Sequence, residues 1–179
     1  MEKLEKLIKQ CQKKDHKAFD ELYKKFSPLI YGICLRYTKN EEDAKDLMQD
    51  NFIKILTKID NYQFKGSFEG WLRKLTINNA INYLESSNYN SFKNDNIIIN
   101  VNSKEETPFE KINAEELLMI INKLPIGYKT VFNLYAIDGY KHSEIADLLG
   151  ISESTSKTQF KKAREAILEI LKKENYERN

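Results

Sequence analysis

Apolar residues recur every three or four positions along most of this chain, and nowhere do they alternate cleanly with polar ones. That period marks helices that bury one face, so the pattern predicts an all-α protein. In the first half, Leu4, Leu7, Ile8 and Cys11 mark a helix over 3–13. Asp15 stands as the cap of a segment with Ala18, Phe19, Leu22, Tyr23 and Phe26 on one face. Ser27 and Pro28 are expected to end it and start another helix with Leu29, Ile30, Ile33, Cys34 and Tyr37, since proline suits a first helical position. Asn40 caps a long helix through Lys58, with Glu41, Glu42 and Asp43 where the helix dipole favours negative charge. Its inward stripe is Ala44, Leu47, Met48, Asn51 and Ile55. A further helix over 67–85 carries Phe68, Leu72, Leu75, Asn79 and Tyr83 towards one side.

The period is lost over 86–112, a stretch rich in Asn and Ser in which only IIINV has the composition to pack locally. It resumes at Asn113, a cap for a helix with Leu117, Leu118, Ile121 and Leu124 that Pro125 closes. Val131, Leu134 and Tyr135 mark the next helix, with Gly139 at its C-terminus. The expected organisation is two small helical domains, 1–85 and 113–179, joined by a flexible linker, 86–112.

The last third carries the first specific signal. In HSEIADLLGISESTSKTQFKKA, Ile145, Leu148 and Leu149 form the packing face of a short helix, Ala146 allows close approach, and Gly150 takes the turn. Ser152 caps a second helix whose apolar positions are Phe160, Ala163, Ile167 and Leu171. Ser154, Lys157, Thr158, Lys161 and Lys162 lie on another side, hydroxylic and basic, as a recognition helix in a major groove requires. A plain amphipathic hairpin with solvated lysines would look similar. Charge separates the two: the net charge of the whole chain is only +2, yet 154–173 holds six basic residues against two acidic. The positive charge is concentrated on this helix.

Composition narrows the remaining classes. No apolar run approaches a membrane span or signal core, so a cytoplasmic protein is expected. Cys11 and Cys34 both fall in apolar-periodic segments, which predicts reduced, buried thiols. No Cys or His cluster has metal-ligand spacing, and no glycine-rich phosphate cradle is present, so neither a metal, a cofactor nor an enzyme is expected. His142, near a helix start, reads as an exposed or capping residue.

Taken together, these segments resemble ECF-type sigma factors of the sigma-70 family, the small promoter-recognition subunits that carry only regions 2 and 4. FDELYKKFSPLIYGICLRYTKNEEDAKDLMQDNFIKI is similar to the family's core-binding segment, GSFEGWLRKLTINNAINYL to the helix that opens the minus-ten element, and LPIGYKTVFNLYAIDGYKHSEIADLLGISESTSKTQFKKAREAI to the region that reads the minus-thirty-five element. The resemblance implies core RNA polymerase as partner, through the clamp helices of its largest subunit and the flap of its second-largest. It also implies promoter DNA as duplex and as non-template strand, and admits an anti-sigma factor or a further DNA-targeting factor. Matched residue by residue, it places polymerase binding on Asp43, Asp46, Leu47, Gln49, Asp50 and Phe52. Minus-ten strand contacts fall on Asn61, Tyr62, Phe64, Lys65, Ser67, Arg73, Lys74, Asn78, Asn79 and Asn82, and minus-thirty-five contacts on Ser154, Thr155, Lys157, Thr158, Lys161, Lys162 and Arg164. Trp71 is expected to anchor its helix in the core, while the loop NYQFKGS before it grips an unpaired base.

Two departures from the family pattern weaken the DNA contacts. The minus-ten helix runs into NYLESSNYNSFKN without the usual basic cluster, and Ser156 replaces an apolar residue of the recognition helix. Weak autonomous DNA binding is expected from both. The alternative is a one-component helix-turn-helix transcriptional regulator, though the first half offers it no ligand pocket or repeat.

Overall fold

The computed structural model describes residues 2–86 and 114–177, with side chains at 2–86 and 116–173. All regular structure among them is helical. The chain divides into two compact units, Met1–Asn88 and Tyr89–Asn179. The stretch 86–112 read as a linker lies, Ser86 apart, outside the described residues, as does the cap expected at Asn113.

In the first unit α1 (Glu2–Gln12) and α2 (His16–Tyr37) are followed by α3 (Glu41–Lys58), a 3-10 turn (Ile59–Asn61) and α4 (Phe68–Ser86). The starts of α2, α3 and α4 each follow from a short polar side chain that accepts from otherwise orphaned backbone donors. Asp15 accepts from the N–H groups of Lys17 at 2.9 Å and Ala18 at 3.3 Å, Asn40 from Asp43 at 2.8 Å, and Ser67 from Gly70 at 3.3 Å.

The break expected at Ser27 and Pro28 does not occur: α2 runs through it with Pro28 inside the helix. The buried stripe Ala18, Leu22, Phe26, Ile30, Ile33, Cys34 and Tyr37 continues unbroken across the proline, which faces solvent. An interior proline costs a helix about 3 kcal/mol. Burying each large apolar side chain on either side returns about 1.5–3 kcal/mol, so packing prevails over the local preference.

Helix α2 is the centre of this unit, packed against α1, α3 and α4. Asn51, fully buried in the apolar stripe of α3, is tolerated because its Nδ2 donates to the Leu47 carbonyl at 2.8 Å and approaches Cys34 Sγ at 3.6 Å. Cys11 and Cys34 are free and buried. Desolvation pushes their thiols up to about 11 and about 12, so both remain protonated at neutral pH.

The second unit comprises α5 (Ala114–Asn122), α6 (Ile126–Phe132), α7 (His142–Leu149) and α8 (Glu153–Glu177). Its core joins Ile120, Ile121, Leu124 and Tyr128 to Ala163, Ala166, Ile167 and Leu171 of α8. A π turn, Asn133–Ile137, extends α6, with the Asp138 N–H donating to the Asn133 carbonyl at 2.9 Å. Between α7 and α8 the backbone turns at Gly150, whose φ of 60° lies in the left-handed region that a Cβ disfavours. Ser152 Oγ accepts from the Thr155 N–H at 3.0 Å and starts α8.

Candidate functional site

The stretch NYQFKGSFEGW folds around Tyr62. Its ring packs against Phe64, Phe68 and Trp71 with centroids 5.0–5.7 Å away, and its hydroxyl donates to the Gly66 carbonyl at 2.9 Å. Tyr62 is therefore buried, where the sequence placed it among exposed strand contacts. Trp71, expected in the core, is only half-buried: it stacks on Phe68 at 5.5 Å and keeps part of its surface accessible. The burial of the two aromatics is the reverse of that expected because the loop closes on itself through the tyrosine hydroxyl, which periodicity cannot reveal.

Phe64 sits on this floor, 37% exposed and with φ of 57°. A bulky side chain in the left-handed region is held there only when its surroundings over-determine it, at a cost of about 1–3 kcal/mol. Asn61, Lys65 and Ser67 are exposed around it. From Ser67, an outer stripe of α4 continues through Trp71, Lys74, Asn78 and Asn82, all exposed or half-buried. Two other expected contacts are engaged internally. Arg73 pairs with Glu69 at 2.9 Å, and buried Asn79 accepts a hydrogen bond from Lys54.

On α3, Asp46, Gln49 and Asp50 point outward together, as positions three and four apart must. Asp43 is tied down, bonded to Asn40 and to the Tyr83 hydroxyl, whose pKa burial and this carboxylate raise. Leu47 and Phe52 are buried, the latter under the Tyr23 ring at 4.4 Å, and so support this face rather than belong to it. Ile53, 60% exposed, continues the Asp46 stripe one helical repeat on. Sequence reasoning missed it, although its absence from the inward stripe was the available signal.

In the helix-turn-helix, α7 packs on α8 through Ile145, Ala146 and Leu149. His142 is not a free surface residue: it stacks on Tyr135 with centroids 4.2 Å apart, and its Nδ1 shares a 2.9 Å hydrogen bond with Ser156 Oγ. The fully buried Ser156 hydroxyl, out of keeping with an apolar position, thus has its partner on the facing helix. Phe160 completes the cluster, 4.5 Å from Tyr135.

Of the exposed positions on α8, Lys157 pairs with Glu153 at 2.6 Å and Lys161 lies 3.8 Å from Glu165. Lys162 lies 5.9 Å from the Tyr128 ring, and Arg164 is exposed without a partner among the described residues. Ser154 and Thr155 both bond the capping Ser152 hydroxyl at 2.8 Å, while Thr158 is exposed. Exposed ion pairs contribute about 0–1 kcal/mol, so these lysines can exchange a carboxylate for a phosphate at small cost.

One helical unit thus carries an acidic outer face and a strained aromatic loop, and the other is built on a helix-turn-helix. The Sigma-70 region 2 pattern matches residues 22–88, and the Sigma-70, region 4 pattern matches residues 114–167. The RNA polymerase sigma-H factor of Pseudomonas aeruginosa is 25% identical over 175 residues, 91% of each chain. The ECF RNA polymerase sigma factor SigW of Bacillus subtilis is 27% identical over 184 residues, covering 94% of this chain and 97% of SigW. Among solved structures, the sigma factor RpoE of Bartonella quintana, crystallised with the anti-sigma factor NepR, superposes with a TM-score of 0.55 at 18% identity, over 87% of this chain and 98% of that one. The chain belongs to the sigma-70 family of RNA polymerase sigma factors, within its ECF group, and acts as an alternative sigma factor in transcription initiation.

Proposed function

We propose that this sigma factor works through two separate grips on a promoter and two on the polymerase. The outer face of α3, with Asp46, Gln49, Asp50 and Ile53, docks on core RNA polymerase, its acidity suited to a basic clamp surface. The flap of the second-largest subunit engages the region 4 unit. From α8, Lys157, Thr158, Lys161, Lys162 and Arg164 meet phosphates and a few base edges of the minus-thirty-five duplex, with Ser154 and Thr155 at the helix start. The loop Asn61 to Ser67 takes a base extruded from the non-template strand, and Lys74, Asn78 and Asn82 follow the strand beside it.

Phe64 carries this reading. A helix-turn-helix regulator that binds closed duplex has no use for a strained, exposed aromatic on a rigid floor, whereas stacking one unpaired base contributes about 1–3 kcal/mol towards opening. The chain performs no chemistry; the polymerase makes the RNA. It works in the cytoplasm, where polymerase and promoters are, and an anti-sigma factor of the kind that accompanies the Bartonella relative would cover the same polymerase-facing surface. Competition with the housekeeping sigma factor for core polymerase tests the assignment. Displacement is expected, with Asp50→Arg and Ile53→Asp each weakening it at least tenfold; a chain that binds promoter DNA but never competes for core is the one-component regulator instead.

A further inference from the structure

Helix α1 and the two residues after it lie wholly before residue 22, where the region 2 match begins, yet three of their side chains reach the 3-10 turn and the loop that follows it. Gln12, half-buried at its end, donates through Nε2 to the carbonyls of Ile59 and Tyr62, each at 3.0 Å. Those carbonyls bracket the 3-10 turn, whose own closure rests on the Tyr62 N–H donating to the Ile59 carbonyl at 3.1 Å. Lys14, just past α1 with φ of 63°, places its ammonium 2.7 Å from Asp60 of the same turn. Lys9 holds its ammonium 5.4 Å from the centroid of the Phe64 ring.

The two lysine contacts are exposed and individually weak. The amide of Gln12 differs: one side chain satisfies two carbonyls of a turn far along the chain, and so fixes where Tyr62 and the strained residue beyond it stand. A left-handed phenylalanine persists only if the segment around it is held. The Tyr62 hydroxyl and ring tie residues 62–64 to the loop and to α4 on one side, and Gln12 ties the turn before them to α1 on the other.

We infer that α1 is a positioning element for promoter opening, with Gln12 the positioning residue that keeps the Ile59–Tyr62 turn, and hence Phe64, ready to receive an extruded base. The inference rests on the loop assignment proposed above. Gln12 touches no DNA; it acts by keeping the receptive loop conformation populated, and strand affinity falls in proportion to that population. Gln12→Glu keeps the size of the side chain but turns a donor into an oxygen that faces two carbonyl oxygens.

The test is a double-mutant cycle on holoenzyme assembled with core polymerase, read as anisotropy of a labelled non-template minus-ten oligonucleotide. Gln12→Glu is expected to weaken strand binding about tenfold while leaving core affinity unchanged, and to have little further effect in a Phe64→Ala background. Lys9→Ala, which removes an exposed ammonium and its 2.6 Å pair with Glu5 on the same helix, should give a smaller loss with the same dependence on Phe64. Undiminished strand binding by Gln12→Glu, or an equal loss with and without Phe64, overturns the inference. A Gln12→Glu chain too unstable to bind core also overturns it, since that residue would then serve the fold. If Phe64→Ala itself leaves strand binding intact, the loop assignment falls and takes the inference with it; if only Gln12→Glu is silent, the loop assignment stands.

Discussion

His142 and Phe64 show what single residues contribute that a pattern of apolar positions does not record. The imidazole satisfies a hydroxyl that has no exposure at all, so His142→Ala should strand Ser156 and cost the second unit about 1–3 kcal/mol in denaturant unfolding. Desolvation first, and then the Lys157 ammonium, hold the His142 pKa below its ordinary 6.5, against the opposing pull of Glu153. The folded state therefore favours the neutral ring, and the unfolded state binds more protons below about pH 6.5. Stability is expected to fall as the pH drops from 6.5 through the lower folded value, and His142→Ala should lack that component. Phe64→Gly makes the opposite kind of test. It removes backbone strain along with a ring, so stability should stay within about 1 kcal/mol of wild type while promoter opening, read by permanganate reactivity of minus-ten thymines, drops at least tenfold. The sequence displayed Phe64 as a loop aromatic beside a glycine, but its left-handed backbone and the burial of Tyr62 beneath it depend on a hydroxyl-to-carbonyl bond that closes only in three dimensions.

Helices were the most legible part of the chain, and the exceptions have a common cause. Caps at Asp15, Asn40 and Ser152 are local chemistry, and the structure places each at a helix start. Pro28 is also local chemistry, but there a stripe of seven buried residues outweighed it. Pro28→Ala should consequently stabilise the first unit by about 1–3 kcal/mol, measured as a raised midpoint in urea with unchanged slope. In α4 the stripe was harder to read. Phe68, Leu72 and Thr76 are buried, and so are Ile77, Ala80, Ile81 and Leu84, since α4 lies against both α2 and α3. Leu75 and Tyr83, expected on the inner side, are left half-buried at its border. On α3, likewise, the stripe that faces inward was legible, whereas the outward face that includes Ile53 emerges only by subtraction.

For the whole molecule, three segments in family order pointed to a sigma factor, and the family matches show one; the assignment of each contact residue rests on the geometry described above. That geometry also bears on how tightly the free protein holds DNA. Lys157 and Lys161 each have a carboxylate four residues away, and α4 ends in Glu85 and Ser86 without a basic cluster. Region 2 is therefore expected to neutralise few phosphates, and promoter recognition to depend on the polymerase holding both units to the DNA at once. Gel shifts of the free chain at physiological salt should show little promoter binding, and nanomolar affinity there would contradict this. The central claim is most directly tested by run-off transcription with purified core polymerase on genomic fragments, with start sites mapped. Adding the chain should produce discrete starts that core alone does not make, each with an opened minus-ten region that Phe64→Ala fails to open. Transcription no more specific than that of core alone would contradict it.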